Sequence, residues 1–355
     1  MIAESDCIGG DNYIPQGLLF QWHITEKCNL RCAHCYQESY QEKDLSFQEL
    51  RNILNQYIDL LSTWRKKSAR HVGGHITVTG GEPFIREDFL NLLELFHHNK
   101  KNFTFAILTN GTFIDKKMAH YLKNLSPAFI QLSVEGTKST HDNLRGAGSY
   151  DKTIDAIKNL VKNKIKTYIS FTAHRGNYKE FTDVADLAYR LRASRLWSDR
   201  LIPCGSGLSL KDQLLSPHQT KEYVELMRKT RIKYHKKMFN HTEIAMHRAL
   251  QFHAGGEPYH CTAGDSLITV LQNGDLYPCA RMPVKTGNLL KKNLRELYYD
   301  NDLFKRLRNK DFLCKGCENC WYEKLCRGGL KCLSYAVQGD PFIADPGCWH
   351  SSSNK

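Results

Sequence analysis

Thirteen cysteines in 355 residues constrain this sequence more than any other feature, because eleven of them gather in two groups. Cys28, Cys32 and Cys35 lie near the start. Cys261, Cys279, Cys314, Cys317, Cys320, Cys326, Cys332 and Cys348 lie toward the end, and Cys7 and Cys204 stand apart. No apolar run approaches the ~18 residues of a membrane span, and the opening residues lack the basic-then-apolar order of a signal peptide. The expectation is a cytoplasmic protein, in a reducing compartment where so many cysteines serve as metal ligands or redox groups and not as disulfides. The chain is long enough to bury a sizeable core, which excludes a disulfide-stapled miniature. Its formal charge of +13 counts every thiol as neutral. Lysine and arginine are spread along the chain with no arginine-rich run or basic-aromatic patch, so nucleic acid is not expected as a partner, and no membrane is. An acidic peptide or an acidic electron donor suits the charge.

Between the two cysteine groups, short β-branched or aromatic runs alternate with helix-period segments. The runs at 18–25, 75–79, 103–108, 129–134, 167–172 and 195–202 predict six parallel strands. Helices are predicted after each polar loop, at 86–98, 115–124, 150–163 and 178–192. The first helix opens with Ser46 as N-cap and Glu49 completing a capping box, and Leu50, Ile53, Leu54, Tyr57, Ile58 and Leu61 form its apolar stripe. Repeated βα units give either an open doubly wound sheet or a closing barrel, and periodicity alone leaves both open. Ser216 followed by Pro217 starts a further helix to about residue 239. The tail has few periodic runs, a hairpin signal at Asn273-Gly274, and too little apolar surface to fold well without metal.

Cys28-x3-Cys32-x2-Cys35 falls in the loop after the first strand. Three thiolates on such a turn can hold three irons of a cubane and leave the fourth free to bind a ligand. A zinc site or buried structural cysteines are the alternatives. The segment CNLRCAHCY, ending at Tyr36, resembles the cluster-binding motif of radical S-adenosylmethionine (SAM) enzymes. Gly80-Gly81-Glu82-Pro83 after the second strand resembles that family's segment facing the SAM amino group. There, bare glycine backbone would approach the ligand and Glu82 would meet an ammonium. By the same resemblance Ser133 and Glu135, after the fourth strand, contact the SAM ribose. Arg145, in a stretch similar to RGxGSF, pairs with the SAM carboxylate, and Tyr36 joins the SAM-binding set. The resemblance implies an α/β fold, a partial (β/α)6 TIM-like barrel with its site at the C-terminal edge of the strands.

The later cysteines resemble the SPASM extension of this family, which holds two auxiliary [4Fe-4S] clusters beside the one bound to SAM. Carried over, Cys261, Cys279 and Cys332 hold an inner cluster, and Cys317, Cys320, Cys326 and Cys348 an outer one. The spacing from Cys326 to Cys332 is longer than usual, and no cysteine shortly precedes Cys261. The inner cluster therefore has an open iron, or borrows Cys314 or a residue such as His260. A zinc ribbon on Cys314, Cys317, Cys320 and Cys326 is the alternative. The expected domains are an N-terminal extension at 1–17, the radical SAM barrel at 18–217, a helical linker at 218–252 and the SPASM domain at 253–355.

The resemblance implies a 5'-deoxyadenosyl radical that takes a hydrogen atom from an unactivated carbon, in an oxidoreductase of the peptide-maturase type. The leading expectation is a thioether or carbon-carbon crosslink in a ribosomally synthesised precursor peptide, with flavodoxin or ferredoxin as electron donor. Ala280 after Cys279 argues against the sulfatase-maturing branch, whose members carry an aspartate there. Cys204, after the sixth strand, opens a second reading as hydrogen-atom donor of a peptide or small-molecule epimerase, although a cysteine in a Pro-x-Gly turn has a purely structural explanation. Dehydrogenation of a sugar or cofactor precursor is the small-molecule rival.

Overall fold

The computed structural model describes residues 13–41, 43–237, 241–256 and 259–350. Cys7 and the predicted helix end near residue 239 lie outside these. In chain order the first elements are β1 (Gly17–His23), α1 (Phe47–Lys67), β2 (Gly73–Thr79), α2 (Phe89–His98), β3 (Thr104–Leu108), α3 (Lys116–Leu125) and β4 (Phe129–Ser133). Then follow α4 (Lys138–Arg145), α5 (Ser149–Lys162), β5 (Thr167–Ala173), α6 (Phe181–Arg190), β6 (Arg195–Arg200), α7 (Pro217–His235) and β7 (Glu243–Ile244). The tail forms β8 (Leu267–Val270), β9 (Asp275–Tyr277), β10 (Gly287–Asn288), α8 (Leu294–Asp300), α9 (Asp302–Arg308), α10 (Glu323–Cys326) and α11 (Lys331–Gln338). These make two compact units. One contains Met1–Lys27, Ser39–Phe105 and Thr262–Phe312, the other Cys28–Glu38, Ala106–Cys261 and Leu313–Lys355. The protein is an α/β fold of mostly parallel strands and covering helices, as expected.

In the first unit β1 is the middle strand, parallel to both β2 and β8, with Phe20 opposite Ile76 on one side and Ile268 on the other. Alternation then buries Phe20 and Trp22 against the helices. The capping box of α1 is formed: Ser46 N donates to Glu49 Oε2 at 2.7 Å and Glu49 N to Ser46 Oγ at 3.3 Å. Its stripe is buried as predicted except at Ile58, where Leu60 and Trp64 take the extra core positions. Tyr57 hydroxyl donates to Leu18 O at 2.7 Å and accepts from His75 N at 2.8 Å, so one helix residue ties two strands. The Asn273-Gly274 turn joins antiparallel β8 and β9.

The tail's apolar poverty is corrected here. Ile268, Val270, Leu276, Met282, Leu294, Tyr298 and Phe304 are all buried in the first unit, and Trp64 Nε1 donates to Tyr299 hydroxyl at 2.7 Å. These residues come singly between turns, so no periodic run announces them.

In the second unit β4 pairs in parallel with β3 and β5, β5 with β6, and β6 with β7. The stretch read as a loop after the fourth strand is helix α4. Its one buried residue is His141, too little for a recognisable stripe, and Thr137 caps it by accepting from Thr140 N. Arg145 is therefore fixed in the last turn of a helix.

Candidate functional site

In the second unit, Cys28, Cys32 and Cys35 sit half-buried on one loop. Cys35 N donates to Cys32 O at 3.1 Å, Leu30 N to Cys28 Sγ at 3.5 Å, and Ala33 N to Leu144 O of α4 at 2.8 Å. The turn after β6 locks onto the same loop. Gly207 N donates to Cys35 O at 3.0 Å and Ser206 N to Gln37 O at 3.1 Å. Gly205, at φ +57°, lies so close that a Cβ there would run into the carbonyl oxygens of Tyr36 and Cys35. Half-buried Cys204 thus immediately precedes the contact with the cysteine loop, while Tyr36 is exposed.

Below this loop lies a buried ionic cluster. Glu135 Oε1 accepts from Arg145 Nη2 at 2.6 Å and Nε at 3.0 Å, with His34 Nε2 at 3.3 Å, while its Oε2 accepts from Thr172 N at 2.8 Å. Burial opposes the charge on Glu135, yet Arg145 and His34 outweigh it and hold the carboxyl well below the ordinary range. Arg145 Nη1 also reaches Cys32 Sγ at 3.9 Å. Burial pushes the Cys32 thiol up, and Arg145 opposes that. His141 Nδ1 accepts from Glu135 N at 3.3 Å, which puts its proton on Nε2, and burial pulls its pKa down to about 4. Glu135 and Arg145, expected to meet the ribose and the carboxylate of one ligand, are bonded to one another. Ser133 is half-buried, its Oγ 3.0 Å from Ser170 Oγ.

In the first unit, Gly80 and Gly81 answer to packing within the chain. Gly81 N donates to Thr25 O and Glu82 N to Lys27 O, each at 2.8 Å. A Cβ at Gly80 would strike Thr25 O, and one at Gly81 would strike Lys27 O. The glycines let the turn after β2 lie flush on residues 25–27, the stretch leading into Cys28. Glu82 is fully buried, and its Oε1 accepts from Phe84 N at 3.3 Å.

Among the later cysteines, Cys317, Cys320, Cys326 and Cys348 line a single pocket in the second unit. Burial, reinforced by the neighbouring thiols, pushes Cys317 up to about 12; burial, with Asp345 and the neighbouring thiols, does the same to Cys326. Crowded donors that resist ionisation beside one another suit a bound cation, which would offset their mutual repulsion. Cys314 stands outside this lining, its Sγ accepting from Lys331 Nζ at 2.8 Å and donating to Arg327 O at 3.3 Å. Cys261 is half-buried and Cys332 buried in the same unit, and Cys279 is buried in the first. Among the described residues, no three His, Cys, Asp or Glu are gathered tightly around one point for a single metal ion.

Four features of the second unit escaped the sequence reading. His34 joins the Glu135 cluster, and Lys331 holds Cys314. Arg200 pairs with Asp345, Nη1 to Oδ1 at 2.9 Å and Nη2 to Oδ2 at 2.5 Å, while Leu330 N and Gly347 N also donate to that carboxylate at 2.9 Å. His253 lines the four-cysteine pocket. Burial, with His350 adding, pulls His253 down to about 4. The Arg200 and His253 contacts join residues far apart in sequence, with no spacing that signals them.

A family model described as the radical SAM superfamily matches residues 22–188, and one for an iron-sulfur cluster-binding domain, SPASM, matches residues 261–321. Fe-coproporphyrin III synthase of Methanosarcina barkeri is 25% identical, over 92% of this chain and 86% of its own. The mycofactocin maturase MftC of Mycolicibacterium smegmatis is 28% identical, over 92% of this chain and 81% of its own. Streptococcus suis SuiB bound to S-adenosylmethionine shares the fold at a TM-score of 0.74 and 19% identity, covering 94% of this chain and 77% of that one. Among the described residues, no helix is long and apolar enough to cross a membrane.

Proposed function

The chain belongs to the radical SAM superfamily and carries a SPASM iron-sulfur domain, and from this we propose that it takes a hydrogen atom from a peptide substrate and forms a thioether or carbon-carbon crosslink. The observation that carries the reading is one juxtaposition in the second unit. The three-cysteine loop, Arg145 at the end of α4 with its partner Glu135 just after β4, and the Cys204 turn are bonded together at the C-terminal ends of parallel strands, the edge where such folds do their chemistry.

In this reading Cys28, Cys32 and Cys35 hold the SAM-binding [4Fe-4S] cluster. Cys317, Cys320, Cys326 and Cys348 hold the outer auxiliary cluster, and Cys261, Cys279 and Cys332 the inner one. When bound, the clusters would supply electron transfer and SAM the group that takes the hydrogen atom. The chain's own residues bind and orient. Glu135 uses Oε1 to fix the guanidinium of Arg145 in one plane, so the cation meets a ligand carboxylate already oriented. Ser133 supplies a half-buried hydroxyl for the ribose, and Gly80, Gly81, Glu82 and Tyr36 complete the SAM set. Cys314, hydrogen-bonded to Lys331 and Arg327, is left out of both auxiliary sets. A flavodoxin or ferredoxin supplies the electron.

MftC, a maturase by name, favours the peptide. Fe-coproporphyrin III synthase favours a second reading, a tetrapyrrole precursor as substrate. The test is an anaerobic incubation of the reconstituted enzyme in deuterated water with SAM, a reductant and any short peptide encoded beside its gene, read by product mass and 5'-deoxyadenosine. Loss of two hydrogens per site supports the crosslink. Gain of one deuterium without oxidation replaces it with epimerisation, with Cys204 the first residue to mutate. In a parallel incubation with an iron tetrapyrrole added, conversion of the tetrapyrrole and not of peptide replaces it with the tetrapyrrole reading.

A further inference from the structure

The four-cysteine pocket is lined on one side by a residue that lies well before these cysteines in the sequence. His253 belongs to the short 3-10 turn Gln251–Ala254, and its ring faces the same pocket as Cys317, Cys320, Cys326 and Cys348. Four rings clamp it. Tyr322 stands edge-on at 4.2 Å between centroids, Phe252 lies at 4.2 Å, His350 at 4.7 Å and Trp349 at 5.4 Å. Within this clamp, His253 Nδ1 is buried and has no hydrogen-bond partner among the described residues. A buried polar atom left without a partner is destabilising. The surrounding rings hold Nδ1 inside the pocket, where an acceptor supplied by the pocket's occupant would satisfy it.

We infer that His253 donates a hydrogen bond from Nδ1 to a sulfur of the iron-sulfur cluster held by Cys317, Cys320, Cys326 and Cys348, and thereby holds that cluster at a higher reduction potential. The inference rests on the proposed assignment of these cysteines. Its physics is that reduction adds negative charge to the cluster and its sulfurs, and an N–H aimed at sulfur stabilises the more negative state. His253 is a positioning and tuning residue here, because four thiolates already complete the cluster's protein coordination.

The experiment uses the full-length reconstituted protein and two readouts, iron and sulfide per chain and cluster midpoint potentials from an EPR-monitored redox titration. His253→Phe and His253→Leu remove the donor, and His253→Asn keeps an N–H. The expected result is unchanged iron in all three, with one cluster of the Phe and Leu variants about tenfold harder to reduce, equivalent to about 59 mV for a one-electron couple. The Asn variant recovers part of that shift. Retained iron with no shift in either donor-less variant overturns the proposal and leaves His253 as packing. Loss of about four irons per chain overturns it differently, making His253 a ligand. The underlying assignment is tested apart from this, since Cys317→Ala/Cys320→Ala with full iron would overturn the outer cluster itself.

Discussion

Replacing Glu135 tests the ionic cluster beneath the cysteine loop. Its carboxylate is fully buried and receives two N–H bonds from Arg145 and one from Thr172 N. Glu135→Leu strands a guanidinium that is only 14% exposed. Breaking a buried pair from one side costs about 3–5 kcal/mol, because the remaining charge is left uncompensated. At about 2–4 °C per kcal/mol for a unit of 150–250 residues, the melting point should fall by roughly 10 °C. Adding Arg145→Met removes the stranded charge, so the double variant should recover at least half of the loss, a coupling that a double-mutant cycle isolates. The pH dependence has a definite sign. Arg145 and His34 hold Glu135 below its ordinary value against the opposing pull of burial. Its contribution is therefore complete above the unfolded pKa of about 4.3 and fades as the pH drops below that. Urea unfolding under anaerobic conditions should show a constant gap between wild type and Glu135→Leu from pH 7 to 5 that closes in stronger acid. A loss at pH 7 of less than about 1 kcal/mol, the range of an exposed pair, would refute the argument.

Adjacent residues in the turn after β6 should behave oppositely. Gly205→Ala places a Cβ against Tyr36 O at a left-handed φ, costing about 1–2 kcal/mol before any clash, and should lower iron retention. Cys204→Ala should keep both iron and 5'-deoxyadenosine formation. Asp345→Asn weakens the pairing with Arg200 and the grip on Leu330 N and Gly347 N, and should cost about 3 kcal/mol in urea unfolding while loosening the Cys348 turn enough to lose iron. Burial pulls His23 down to about 4, so the unfolded chain takes up that proton first. Stability should then fall by up to about 1.4 kcal/mol per pH unit between about 6.5 and 4, and His23→Asn should flatten that limb of a pH-stability curve. Ser46→Ala breaks the cap of α1, and should cost about 1 kcal/mol with iron content unchanged.

What the sequence makes legible is local. Six strands, the Ser46–Glu49 box and the Asn273-Gly274 turn lie where alternation, capping chemistry and turn residues predict them. Each is decided by side chains within a few positions of one another. β8 is the counterexample: its four residues read as one arm of a hairpin, and they also pair in parallel with β1, some 250 positions earlier. Nothing within the run Leu267–Val270 specifies that partner. α4 was hidden for another reason, since a helix burying only His141 has no stripe to detect.

The same division holds at the candidate site. The cysteine spacings and the Gly-Gly-Glu-Pro turn are short-range patterns and were legible, but the reason for the glycines was not. The turn needs bare backbone because residues 25–27 occupy the space a side chain would fill. The resemblance offers Arg145 as a cation, but its bond to Glu135 was not legible, because a carboxylate ten residues away declares itself only once α4 turns the guanidinium back over it. That bond changes what the arginine can do. A free guanidinium on a loop would lose rotamer entropy on meeting a carboxylate, whereas one already fixed by two hydrogen bonds to Oε1 has met much of that cost during folding. The ordering cost of Arg145 is thus met within the folded chain, and that is why the Glu135 variants should register in unfolding experiments without any ligand present.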